Sequence, residues 1–573
     1  MSVLATAGRD AALGEPVLRD PAFVMRPERL AALQPSRLSA SRALMIRAIR
    51  ERWSVTRLDW RIDAQSRGTA LYRIDTPGGT FDFPVYSFEY RKEGRTGRII
   101  GRSWDMMGAL LEGPASADDI EATGRELPKL YRGRATPRTL VWCRSNRSSR
   151  AFDHAVDALA AGRQPDMAEI GQVCYLMRNT GLDGNGTFGT RSFRALEPDH
   201  PLRAPLAAQM LCAYIMRVFA VDLVEHLARA RSARACALNP DLARYIGVGN
   251  GSALGLVLFV NNHPRLVDRW LHAREASILA AKRLHGPAVA PALRHLARLV
   301  DRASRFRAED RMVYEAFAPS AEVARELTDV RARLDTALAQ PDTLRRAPYP
   351  MAAVFDTVEP HVHAETFETL LSLAIELVPD VADALVETLT VDEETSTVPQ
   401  MRVGELRELL RTQYEWALRI DLGAPAARRY VWYKSENAEE PRRGPWDEVE
   451  WAFNLGLDLP ALAQSLDRAL REHSSATSVA RFLLAEPRFR ATVARIQTLR
   501  DARYHSPHMN MMGEGFVPVH IVRMMNVALH GIDKTRDYLG RNLRGVLYHG
   551  APMPADLAAR AEPEWFNPLE PSQ

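Results

Sequence analysis

Residues 504–531 read YHSPHMNMMGEGFVPVHIVRMMNVALHG, and four of the protein's 15 histidines lie between His505 and His530. If 516–530 is a helix, almost every position is apolar except His520, Arg523, Asn526 and His530. At about 100° per residue these four fall on a stripe roughly 120° wide. A solvated face would carry Glu, Lys or Gln, so this stripe is expected to look inward. Buried polar groups must be hydrogen-bonded, which leaves a structural network or a ligand as their partner. An imidazole with an ordinary pKa of about 6.5 is a natural proton carrier at neutral pH. His520 is therefore the candidate base, with Glu514 and Tyr504 beside it in sequence, and Arg523 and Asn526 are candidate substrate ligands. His505, His508, Glu514 or His520 could ligate a metal, but their spacing matches no zinc or di-iron signature, and no metal is assigned.

Two further segments concentrate groups that hold anions. YLMRNTGLDGNGTFGTRSF (175–193) carries Gly181, Gly184, Gly186 and Gly189, with Asn185 between two of them and Arg178 just upstream. Glycines permit close backbone approach, and inward N–H groups make an anion-binding loop. The plainer reading is a flexible connection after an apolar helix that ends at Thr180. YIGVGNGSALGLVLFVNNHP (245–264) places Asn250 in a Gly-rich turn before an apolar run ending in Asn262 and His263. Free N–H groups at a helix start would suit a carboxylate or phosphate, although a tightly packed short helix would also need such glycines. Neither segment is a P-loop or a dinucleotide fingerprint, and no nucleophile elbow, HExxH or kinase motif occurs.

Weaker constellations read as scaffold. Asp268, His272 and Glu275 share a helix face with interleaved Arg and are expected to form an exposed ion-paired surface. Glu359, His361, His363 and Glu365 look like a helix-capping region. Arg132 to Arg150, with Trp142, reads as a basic surface strip.

The elements that position these groups follow from periodicity. Residues 1–40, rich in Pro and Ala, read as a loose arm. VTRLDWRID, TALYRID and TFDFPVYSFEY alternate, the last two joined through Pro-Gly-Gly, so 54–103 is expected to be a small antiparallel sheet. From about 147 onward apolar residues recur at steps of three and four, the mark of helices. The expected fold class is mainly α, a multi-helix body with a small N-terminal antiparallel β element. Its expected regions are 1–40 (arm), 41–135 (small α+β), 136–345 (helical) and 346–573 (helical, packing on the previous one).

Composition bounds the function. The 573 residues are 46% hydrophobic and 25% charged, which is ordinary globular usage. A formal charge of +4 is small for this length, so nucleic acid is not an expected partner. Only five of the 75 basic residues are Lys, which reflects either coding bias or a use for forked guanidinium donors. Cys143, Cys174, Cys212 and Cys236 show no metal or redox spacing; Cys174 and Cys212 sit in apolar runs read as helical, and a reducing compartment fits. The N-terminus lacks a secretory pattern. Leu206 to Val224 contains Gln209, Arg217 and Asp222, which favours a buried core helix over a membrane span.

The expectation is thus a cytoplasmic enzyme for a small anionic metabolite bearing carboxylate or phosphate. Arg178 and Arg523 would fix the anion, Asn185, Asn250, Asn262, His263 and Asn526 would orient it, and His520 would move the proton. The alternatives are a non-catalytic binding or scaffold protein, and a helical oxidoreductase holding flavin, haem or metal. No cofactor is identified.

Overall fold

A computed structural model describes residues 15–89, 104–127, 138–183, 196–250, 264–309, 318–389, 397–424, 455–504, 528–536, 543–558 and 564–571. The alternating N-terminal segments form β1 (Ser54–Ile62), β2 (Gly68–Thr76) and β3 (Gly79–Ser87), the last two joined by the expected tight turn at Pro77 and Gly78. Here the sheet continues well past the expected small element. It goes on through β4 (Met106–Glu112), β5 (Thr139–Arg147), β6 (Tyr175–Asp183) and β7 (Gly247–Asn250), and takes in β8 (Ile532–Arg536) and β9 (Leu543–Leu547). The result is one nine-stranded mixed sheet ordered β1-β2-β3-β4-β5-β6-β7-β9-β8. All neighbours are antiparallel except β6 and β7. The fold has many helices, but its β content was understated.

The main miss has a simple cause. Residues 167–180 read as one helix because apolar residues recur there at steps of three and four. The structure makes a short helix at Met167–Ile170, a turn at Cys174 with φ +52°, and then strand β6. A strand buried on both faces loses its alternation and cannot be told from a helix by period alone. Pairing with β5 and β7 decided the matter. The same holds for GVGN, expected as a turn and found as β7.

The helices include α1 (Ala40–Arg50), α2 (Ala117–Glu126), α3 (Ala151–Ala160), α4 (Ala207–Arg231), the short α5 (Pro240–Tyr245), α6 (Pro264–Lys282) and α7 (Val289–Glu309). After them come α8 (Ser320–Leu338), α9 (Ala364–Ala374), α10 (Pro379–Glu387), α11 (Val403–Gln413), α12 (Leu455–Arg471) and α13 (Arg490–Thr498). Helices α3 and α4 pack on the sheet to form the main core. A second core gathers α6 to α10, and a third lies between α11, α12 and α13.

Helix α4 is long and apolar enough to cross a bilayer, but 89% of its most apolar window is buried inside the protein. Two of its three polar exceptions are paired as a core helix requires, while the Gln209 side-chain oxygen is buried without a hydrogen-bond partner. Asp222 accepts from the Tyr72 hydroxyl at 2.7 Å. Arg217 donates to the carbonyls of Ala243, Arg244, Ile246, Ala551 and Pro552.

Three expectations about surfaces need correcting. The described part of the arm is docked, not loose: Arg19 pairs with Glu275 and Glu368 at 2.7 Å, and Arg37 with Asp383 at 2.6 Å. Glu275 and Arg274 are buried, so the α6 face is an interior ion network there, although His272 is exposed. Trp142 and Arg147 are buried in β5, not on a surface strip.

Candidate functional site

Strands β6 and β7 are joined by a crossover through α4 and α5 and run side by side in parallel, with Arg178 opposite Gly249 and Asn179 opposite Asn250. Their carboxyl ends therefore point the same way, and both lead straight into the Gly-Asn segments singled out in the sequence. In sheets with parallel strands, ligands bind beyond those carboxyl ends, where loops diverge and backbone N–H groups are free. Arg178 and Asn250 are thus brought together by adjacent strands, although they are 72 residues apart in the chain. Asn185, Asn262 and His263 lie outside the described residues.

The register slips by one residue between Tyr175 and Arg178, so both side chains reach Gly249. A Cβ at Gly249 would sit 2.9 Å from Arg178 Cγ and from the Tyr175 ring. The glycine is what lets the Arg178 stem cross β7. On the same face, Asn146 stands opposite Arg178, and Arg144 lies two residues along β5. The Arg144 guanidinium is sandwiched 5.0 Å from the Trp104 ring and 4.5 Å from Trp142. Stacking of this kind fixes the plane of a guanidinium. On the opposite face, Asn179 is buried and accepts from the Ser145 hydroxyl at 2.9 Å.

The third segment is described only at its ends. Glu514, His520, Arg523 and Asn526 lie outside the described residues. His530, the last member of the expected polar stripe, is fully buried. Its neighbour Leu529 lines a cavity of about 610 Å³, together with Leu206, Leu266 and Trp270, and Arg47 and Arg203 on the rim. That volume is within the range of roughly 300–1,000 Å³ typical of small-molecule sites. Arg47 is held by Glu51, and Arg50 by Asp383, so much of the rim charge is internally paired.

Tyr504 belongs to different surroundings. Its N–H donates to Asp268 at 2.6 Å and its hydroxyl to the Arg19 carbonyl at 3.3 Å, tying the arm to α6. Burial pushes its pKa up to about 12, so the hydroxyl stays protonated at neutral pH. Neither Tyr504 nor Arg178 lines the cavity beside Leu529.

Among the described residues, one group has metal-ligand spacing: Glu322, Glu326 and His363. The Glu326 carboxylate is already engaged, accepting from the His363 N–H, the His363 ring and the Thr366 hydroxyl. It holds the start of α9 from the neighbouring α8, whereas His363, the N-cap residue, makes no side-chain cap hydrogen bond of its own. A cluster that sequence reading passed over sits at the amino end of β6, where Tyr245 lies between Cys174 and His549, and His549 pairs with Asp533. No local pattern could have shown it, because its members are drawn from segments some 300 residues or more apart. Comparison with protein-family models, curated proteins and solved structures finds no match.

Proposed function

We propose that this protein is an enzyme acting on a small anionic metabolite, bound at the carboxyl end of the β6–β7 pair. The observation that carries the reading is the parallel juxtaposition of Arg178 with Gly249 and Asn250. A forked guanidinium beside two Gly-Asn segments is a donor set for carboxylate or phosphate. Arg178 holds the anion, Asn250 and its neighbours orient it, and His520 is the proposed proton carrier. A reducing, cytoplasmic setting accords with four free thiols.

Calorimetric titration with inorganic phosphate and with malonate tests the site. Arg178→Met should weaken binding by about ten- to a hundredfold, because a hydrogen bond to a charged group contributes roughly 1.5–3 kcal/mol. Affinity indifferent to this change removes the basis for the proposal.

The cavity beside Leu529, apolar within and internally paired at its rim, supports a second reading: a binding protein that holds a ligand without converting it. Substrate turnover separates the two. An absorbance spectrum of the purified protein tests the third reading, a bound flavin or haem.

A further inference from the structure

The junction of α8 with the start of α9 carries chemistry that the anion site does not use. Glu322 and Glu326 stand one turn apart on α8, and that spacing puts both carboxylates on one face of the helix. His363, the residue that precedes α9, completes the group. One carboxylate oxygen of each Glu and one ring nitrogen of His363 all lie within 4.8 Å of one another.

Glu326 is held as a metal ligand would be. It is 5% exposed, and its Oε2 accepts from the His363 backbone N–H at 3.1 Å and from the Thr366 hydroxyl. Those two bonds fix the carboxylate and leave Oε1 facing the His363 ring, whose Nδ1 is 2.7 Å away. Ligating carboxylates are oriented by outer donors in this manner. Glu322 has a looser partner, the exposed Arg325 at 3.4 Å. An exposed pair of that kind contributes little and yields to a stronger charge. The Glu322 and His363 side chains are partly open to solvent, which gives an ion its way in.

We infer that Glu322, Glu326 and His363 form a binding site for a divalent transition metal, with Zn2+ the best match to one imidazole and two carboxylates. The ion takes the place of the proton between Glu326 Oε1 and His363 Nδ1, and the neutral ring keeps its proton on Nε2. Zinc binds such nitrogen and oxygen atoms at about 2.0–2.2 Å, so ligand atoms around one ion stand roughly 3.4 Å apart in a tetrahedral shell. The contact between Oε1 and Nδ1 therefore widens slightly while Glu322 closes in, and partly exposed side chains make both movements. The imidazole selects against Ca2+ and Mg2+, which take oxygen shells. Three protein ligands leave a fourth position to water. With two ligands on α8 and one at the start of α9, the ion also ties the two helices together. None of the three residues belongs to the β6–β7 anion site, so either proposal can fail without the other.

The test strips the full-length protein with a chelator, dialyses it, and titrates it calorimetrically with Zn2+, Ca2+ and Mg2+ in turn. Zn2+ should bind, and Ca2+ and Mg2+ should bind far more weakly. Glu322→Gln and His363→Ala should each weaken one Zn2+ binding event by at least about tenfold, the lower end of what losing even an outer partner of a metal ligand costs. Saturating Zn2+ should raise the melting temperature of the parent more than that of either variant, because a ligand stabilises the state that binds it. Melting of the metal-free proteins shows which variants remain folded, and Glu322→Gln, at a partly exposed position, supplies the comparison if His363→Ala unfolds. A parent that does not bind Zn2+, a preference for Ca2+, or a Zn2+ isotherm unchanged in a folded variant overturns the inference.

Discussion

At the scale of single residues, the proposed site depends on what Gly249 lacks. The Arg178 stem and the Tyr175 ring occupy the space a Cβ would need, both at 2.9 Å. Gly249→Ala should therefore displace Arg178 and cost about 1–3 kcal/mol, the usual range for overpacking a filled site. Urea denaturation would read the loss of stability, and phosphate titration the loss of affinity. A variant as stable and as tight-binding as the parent would show that Arg178 does not depend on this close approach. Arg178 stood out in the sequence because it lies just upstream of a Gly-rich segment. Cys174 did not, because a cysteine in an apolar run reads as a small core residue.

At the scale of elements, ion pairs do what apolar contact alone does elsewhere. Glu368 on α9 accepts from Arg19 of the arm and from Arg274 of α6, and its side chain is fully buried. Burial alone would raise its pKa, but the guanidinia of Arg19 and Arg274 outweigh burial and hold it at about 2, below the ordinary 4.5. A carboxyl depressed on folding contributes stability that is present above about 4.5 and lost as pH falls towards 2. The arm should therefore release in that acid window. Hydrogen exchange of residues 15–35 at pH 7 and pH 3 would show it as a selective loss of protection, and Arg19→Met should produce the same loss at pH 7. Equal protection at both pH values would mean that apolar contacts alone hold the arm. The arm was expected to be loose because its partners, Glu275 and Glu368, lie about 250 and 350 residues further along.

At the scale of the whole molecule, the C-terminal strands close the sheet. Strand β9 inserts between β7 and β8, and the returning chain is fastened to α5 through Arg217, which binds carbonyls of both, and through the Tyr245 ring packed on His549. Burial opposes charge on His549, but the Cys174 sulfur and the Asp533 carboxylate prevail and raise its pKa from 6.5 to about 10. A group whose pKa is raised on folding contributes stability below its unfolded value, here about 6.5, and loses it as pH rises through about 10. Stability should therefore decline between pH 7 and pH 10 more steeply in the parent than in His549→Gln. Urea midpoints across that range would measure the difference. Parallel curves for the two proteins would show that the imidazole carries no such charge.

The sequence by itself determined what is local: the β2–β3 hairpin and the long buried helix α4. Each depends on residues within a few positions of one another, through alternation, helical period or glycine's freedom. Only the tertiary structure decided that Tyr175–Asp183 is a strand, because burial on both faces erases the alternation and leaves the choice to hydrogen bonds from β5 and β7. It alone placed Arg178 beside Asn250, and Cys174 beside Tyr245. Those contacts arise from strand order in the finished sheet, and strand order is set by which distant segments can bury their faces together.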